Sequence, residues 1–88
     1  MKSKKIKQKF ETWLYENTTL QNSSIRLYSS LVWQHQTFLD MAIEKGKVEI
    51  INHLLIKEHR HKNNIALKFA IIQYLKFMNL KSWIVDLI

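Results

Sequence analysis

The stretch from residue 22 to residue 46, Asn22-Ser23-Ser24-Ile25-Arg26-Leu27-Tyr28-Ser29-Ser30-Leu31-Val32-Trp33-Gln34-His35-Gln36-Thr37-Phe38-Leu39-Asp40-Met41-Ala42-Ile43-Glu44-Lys45-Gly46, decides the fold class. Ile25, Tyr28, Val32, His35, Leu39 and Ala42 recur at three and four residues, the repeat of one helix face, and Leu31 and Phe38 widen the stripe. Asn22, Ser23 or Ser24 offers an N-cap, because a short polar side chain accepts from the free N–H groups of a first turn. Gly46 stands where a left-handed C-terminal cap belongs. The pattern therefore predicts one long helix ending near Lys45.

The same periodicity extends in both directions. Upstream, Ile6, Phe10, Trp13 and Leu14 form a face that ends near Asn17, where Asn17-Thr18-Thr19 weakens helix propensity. Downstream, Val48, Ile51, Leu54 and Leu55 favour a short third helix over Val48 to Lys57, although its β-branched residues also suit a strand. Lys57 to Asn64 reads as a polar, mostly basic loop of the kind that carries function. A fourth helix is expected from about Ile65 to Met78. It is apolar nearly all round, with Ile65, Phe69 and Ile72 on one line and Ala66, Ala70 and Phe77 on another. It should be the most buried element. Lys81 to Ile88 has room for a last turn or short helix.

Composition supports this reading. The chain has 88 residues, 47% of them hydrophobic, which is enough for one domain with a small core. No Pro and a single Gly leave few sheet turns, so an all-α, compact four-helix bundle is expected. Without Cys there are no disulfides, thiolate metal sites or cysteine nucleophiles. Apolar runs are far too short for a membrane span, and the basic N-terminus leads into no signal core. A small soluble, cytoplasmic domain with no membrane partner is expected. Its 14 Lys+Arg against 7 Asp+Glu give +7, a field that attracts polyanions, nucleic acid first among them.

Chemistry is sparse. Serines at positions 3, 23, 24, 29, 30 and 82 sit in no nucleophile turn, no acid pair is distinguished, and one Gly makes no phosphate loop. No cofactor is expected. His59 and His61 bracket Arg60 in the basic loop and read as surface residues rather than metal ligands. His35 and His53 fall on apolar faces, where a hydrogen-bonded core histidine is the ordinary reading. Trp13 reads as core and Trp33 as partly exposed. The Lys2 to Lys9 run reads as a solvated end or a phosphate-contacting arm.

Two stretches carry a family resemblance. Ser23-Ser24-Ile25-Arg26-Leu27-Tyr28 followed by Val32, Phe38 and Leu39 resembles a helix of the SAM-like core-binding domain of tyrosine recombinases, the phage-integrase type. Phe10-Glu11-Thr12-Trp13-Leu14 resembles that domain's opening helix, and Asn64-Ile65 through Phe77-Met78 its last. Ser24 and Asn64 replace the usual threonines, and His35 and Leu75 the usual aromatics. Gln73 falls near a frequent arginine. The resemblance implies binding to double-stranded DNA, with a separate catalytic domain of the same parent protein as partner and no catalysis in this domain. In this picture residues 1–5 form a basic arm and 80–88 a linker toward that catalytic domain. An isolated domain of this kind is expected to be monomeric.

Carried onto this chain, the DNA-binding residues would be Ser23, Ser24 and Arg26 at one helix start, and Arg60, His61, Lys62, Asn63, Asn64 and Lys68 at another. Helix N-termini offer free N–H groups to phosphate, while Arg and Asn suit bidentate contacts to base edges. The competing role for Ser23, Asn63 and Asn64 is capping alone. A rival reading is a small protein-interaction or immunity-type bundle. It would scatter these cations and expose an apolar patch near Trp33 and Trp83.

Overall fold

In the computed structural model, which describes residues 4–57 and 64–87, five α-helices and a short 3-10 helix pack together. They are α1 (Lys4–Asn17), α2 (Asn22–Gln34), α3 (Gln36–Lys45), α4 (Val48–Lys57) and α5 (Asn64–Phe77), followed by the 3-10 helix Lys81–Asp86. The all-α bundle is as expected, and no strand occurs among the described residues. The radius of gyration, 12.1 Å, equals the roughly 12 Å expected of a compact chain of this length.

The end of α1 follows from its own side chains. Asn17 Nδ2 donates to the Trp13 carbonyl at 2.9 Å, and the Thr18 hydroxyl and amide both donate to the Leu14 carbonyl, at 2.6 and 3.1 Å. The last carbonyls of the helix thus find partners that do not continue it. The Leu20 amide then donates to the Thr18 hydroxyl at 3.3 Å, turning the chain into α2. Buried Ser29 of α2 donates to the Glu11 carboxylate of α1 at 2.9 Å, tying the two helices side by side in opposite senses.

The segment read as one long helix is two. Its stripe runs on unbroken because only His35, at φ −108° and ψ 18°, leaves the helical path between α2 and α3. The cause is visible next door. Gln36 is 1% exposed, and its Nε2 donates to the Tyr74 hydroxyl at 2.9 Å and to the Asp40 carboxylate at 2.7 Å. The turn at His35 lets this glutamine face α5, where a buried amide needs a partner. Gly46, at φ 66°, then closes α3 as expected: its amide donates to the Ile43 carbonyl at 3.2 Å and that of Lys47 to Ala42 at 3.0 Å. The same cap ends α5, with Asn79 at φ 62° in place of glycine and the Leu80 amide on the Leu75 carbonyl at 2.7 Å.

Helix α5 is the central element and touches α1, α2, α4 and the 3-10 helix. Leu67, Ala70, Ile71, Tyr74 and Leu75 are buried among Phe10, Leu14, Ile25, Leu39, Ile51 and Leu54. It is not buried all round, however: Ile65 is 83% exposed and Phe69 38%. The core takes the 67–71–74 face, and the Ile65–Phe69 line faces outward. Ring contacts fix its direction. Phe77 lies 5.5 Å from Phe10 and 6.0 Å from Trp13, whereas Phe69 lies 5.2 Å from Tyr28. The last turn of α5 therefore sits by the middle of α1, and its first half by α2. On α4, Asn52 Nδ2 holds the Asp86 carbonyl at 2.9 Å, which anchors the 3-10 helix.

Candidate nucleic-acid interface

The first turn of α2 holds the sequence-derived residues Ser23, Ser24 and Arg26. The cap position falls on Gln21, one residue before Asn22, in extended backbone at φ −72° and ψ 157° and with no side-chain cap hydrogen bond. Neither Asn22 nor the serines cap the helix, contrary to the expectation that one of them would. With the helix starting at Asn22, Ser23 and Ser24 lie inside its first turn, Ser23 exposed and Ser24 half-buried. Arg26 is exposed, and no acidic residue occupies that turn. Its free N–H groups and the positive end of the helix dipole therefore face an anion-compatible surface.

Lys68 is half-buried on α5, next to the Phe69 whose ring meets Tyr28. That contact joins the helix segments carrying Arg26 and Lys68. Asn64 is the first residue of α5. Arg60, His61, Lys62 and Asn63 lie outside the described residues, as does the His59–His61 pair. Among the described residues no three His, Cys, Asp or Glu cluster as a metal site. His53 is exposed on α4 rather than in the core, and His35 is half-buried at the α2–α3 turn.

Charge is distributed unevenly along the chain. Residues 1–9 carry five lysines and no acid, and residues 57–88 carry six basic and two acidic groups. The span between them has three basic and five acidic groups. Positive charge therefore concentrates on the start of α1 and on the stretch from Lys57 through α5 to the 3-10 helix.

Two shallow grooves had no counterpart in the sequence reading. One, of about 430 Å³, lies between α1 and the end of α5 and is lined by Gln8, Lys9, Thr12, Trp13, Glu16 and Phe77. The other, of about 550 Å³, lies beside the α1–α2 loop, with Leu20, Phe69 and Gln73 among its walls. Trp13 and Phe77 come from opposite ends of the chain, so no local spacing announces the first groove. The tryptophans are all half-buried; Trp13 and Trp83 pack against the core.

No protein-family model, curated protein or solved structure matches the chain. The likeness to recombinase core-binding domains rests on the residues quoted for it. No helix among the described residues is long and apolar enough to cross a membrane.

Among the described residues, the titrating group whose shift is resolved is structural. Burial pushes the Tyr74 phenol above its ordinary 10.0; the hydrogen bond from Gln36 opposes the shift and the charge of Asp40 adds to it. Tyr74 lies in the core, away from the α2 start.

Proposed function

We propose that this domain binds double-stranded DNA through the start of α2, the start of α5 and the basic residues Arg60 and Lys62 that lie in sequence between α4 and α5, as a recombinase core-binding domain does, and that any strand-cleaving chemistry belongs to a separate catalytic domain. The observation that carries the reading is the first turn of α2. Its N–H groups have no side-chain cap, Ser23 is free of capping duty, and exposed Arg26 stands one turn further on. The net charge of +7 supplies long-range attraction for a polyanion.

The test is fluorescence anisotropy with a labelled duplex across a salt series. Several phosphate contacts give a slope of log affinity on log salt of about −3 to −6. Arg26→Ala should reduce that slope by about one, and Arg60→Ala with Lys62→Ala by up to about two. Absence of binding at low salt overturns the reading, and an unchanged slope removes the altered residue from the interface.

A protein-interaction bundle is the second reading, favoured by one observation. Ile65 and Phe69 lie one turn apart on α5 and are 83% and 38% exposed. Its proposed tryptophan patch finds no support, since Trp33 and Trp83 are half-buried.

A further inference from the structure

The groove between α1 and α5 combines two features with no role in the duplex surface. Its floor is aromatic: Trp13 and Phe77, both half-buried, meet edge to face with ring centroids 6.0 Å apart. Its rim is polar, with exposed Lys9 and Glu16 on one face of α1, seven residues and hence about 10 Å apart. Exposed Lys76 neighbours Phe77 in sequence. The groove runs along residues 8–16 of α1, from the middle of that helix toward its end.

We propose that this groove holds an unpaired nucleotide of a DNA strand, its base against Trp13 and its phosphate on Lys9. The proposal extends the DNA-binding reading. A base inside a duplex has no free face to offer an aromatic side chain, whereas an unpaired base does, and aromatic stacking beside lysines is how single strands are held. A groove of about 430 Å³ falls within the size range of small-molecule sites, enough for a base and far too small for a duplex. Glu16, at the far end from Lys9, repels phosphate and accepts hydrogen bonds from base N–H groups such as thymine N3–H, which sets the direction in which the nucleotide lies.

The experiment uses the whole chain, with a fluorescein-labelled ten-residue oligothymidine and a labelled duplex titrated in parallel by anisotropy. Lys9→Glu and Trp13→Leu should each weaken oligothymidine binding about tenfold, and Trp13→Phe should recover most of that loss. Duplex affinity should change less than about threefold in these variants, and Arg26→Glu should give the opposite pattern. Lys9 is exposed, so its variant reports even where Trp13→Leu unfolds the domain. Equal weakening of both oligonucleotides by Lys9→Glu and Arg26→Glu would show general charge attraction and overturn the groove. Binding of duplex without oligothymidine overturns this proposal alone. Binding of oligothymidine without duplex overturns the duplex reading and leaves the groove standing.

Discussion

Removing the Tyr74 hydroxyl tests the internal logic of the fold most directly. Gln36 and Tyr74 are each 1% exposed, and the Gln36 amide reaches the phenol oxygen at 2.9 Å while its other hydrogen serves Asp40 at 2.7 Å. Tyr74→Phe leaves one buried N–H without its acceptor, so we expect a loss of about 1–2 kcal/mol. Gln36→Leu fills similar volume but strands the phenol in the core, costing about 1–3 kcal/mol. The double variant strands neither group. Its cost should fall short of the sum of the singles by about 1 kcal/mol. For a domain of this size each kcal/mol corresponds to a shift in Tm of about 4–8 °C. Urea unfolding followed by far-UV circular dichroism measures all four proteins, with a constant m-value as the check on two-state behaviour. Singles that add to the double within about 0.3 kcal/mol would refute the coupling, and with it the account of why the helix turns at His35.

Further outcomes follow for the pH dependence of stability, the helix caps and the α1–α2 contact. Because burial raises Tyr74 above 10.0, its contribution is complete below that pH; above it the unfolded chain loses this proton first, so stability falls until the folded phenol also ionises. Tyr74→Phe should therefore flatten the alkaline decline relative to the parent in melts from about pH 8 to 11, and parallel curves would remove Tyr74 as its source. Gly46→Ala should cost about 1–2 kcal/mol from the left-handed φ alone, since an added Cβ meets nothing within 4 Å; Asn79→Gly should be neutral or slightly stabilising, and thermal melts check both. Ser29→Ala should cost about 1 kcal/mol by losing its bond to Glu11, whereas a neutral result would mean that water serves Glu11 equally well.

Most helix limits were legible because local chemistry sets them. Asn17 and Thr18 close α1, Gly46 closes α3, and the apolar spacing of residues 48–55 marks α4. The break at His35 was not legible. It depends on a glutamine bonding a tyrosine 38 residues away, and such a glutamine looks in sequence like any polar residue on an outer face. Asn79 was overlooked for a related reason: asparagine tolerates the left-handed region but does not demand it. Ile65 and Phe69 misled in the other direction. An almost wholly apolar helix has no weaker side to mark as outer, and only the placement of its neighbours decides which line is left exposed.

Of the candidate site, the charge was legible and the geometry was not. Ser23 and Arg26 stood out by type, yet whether Ser23 caps or is free depends on whether Asn22 has already turned helical, a shift of one residue that sequence cannot resolve. The aromatic groove is further out of reach, because Trp13 and Phe77 satisfy the ordinary pattern for core residues and only their pairing across 64 positions leaves both half-exposed beside Lys9. This asymmetry bears on how the two DNA proposals relate. The duplex surface draws on exposed cations and helix-end N–H groups, which are tolerant of small displacements because electrostatic attraction falls off slowly. The groove depends on ring placement within a few ångströms, and that placement is held by the same Phe10–Tyr74–Phe77 cluster that Gln36 braces. Loosening the Gln36–Tyr74 bond should therefore weaken oligothymidine binding before it touches duplex binding.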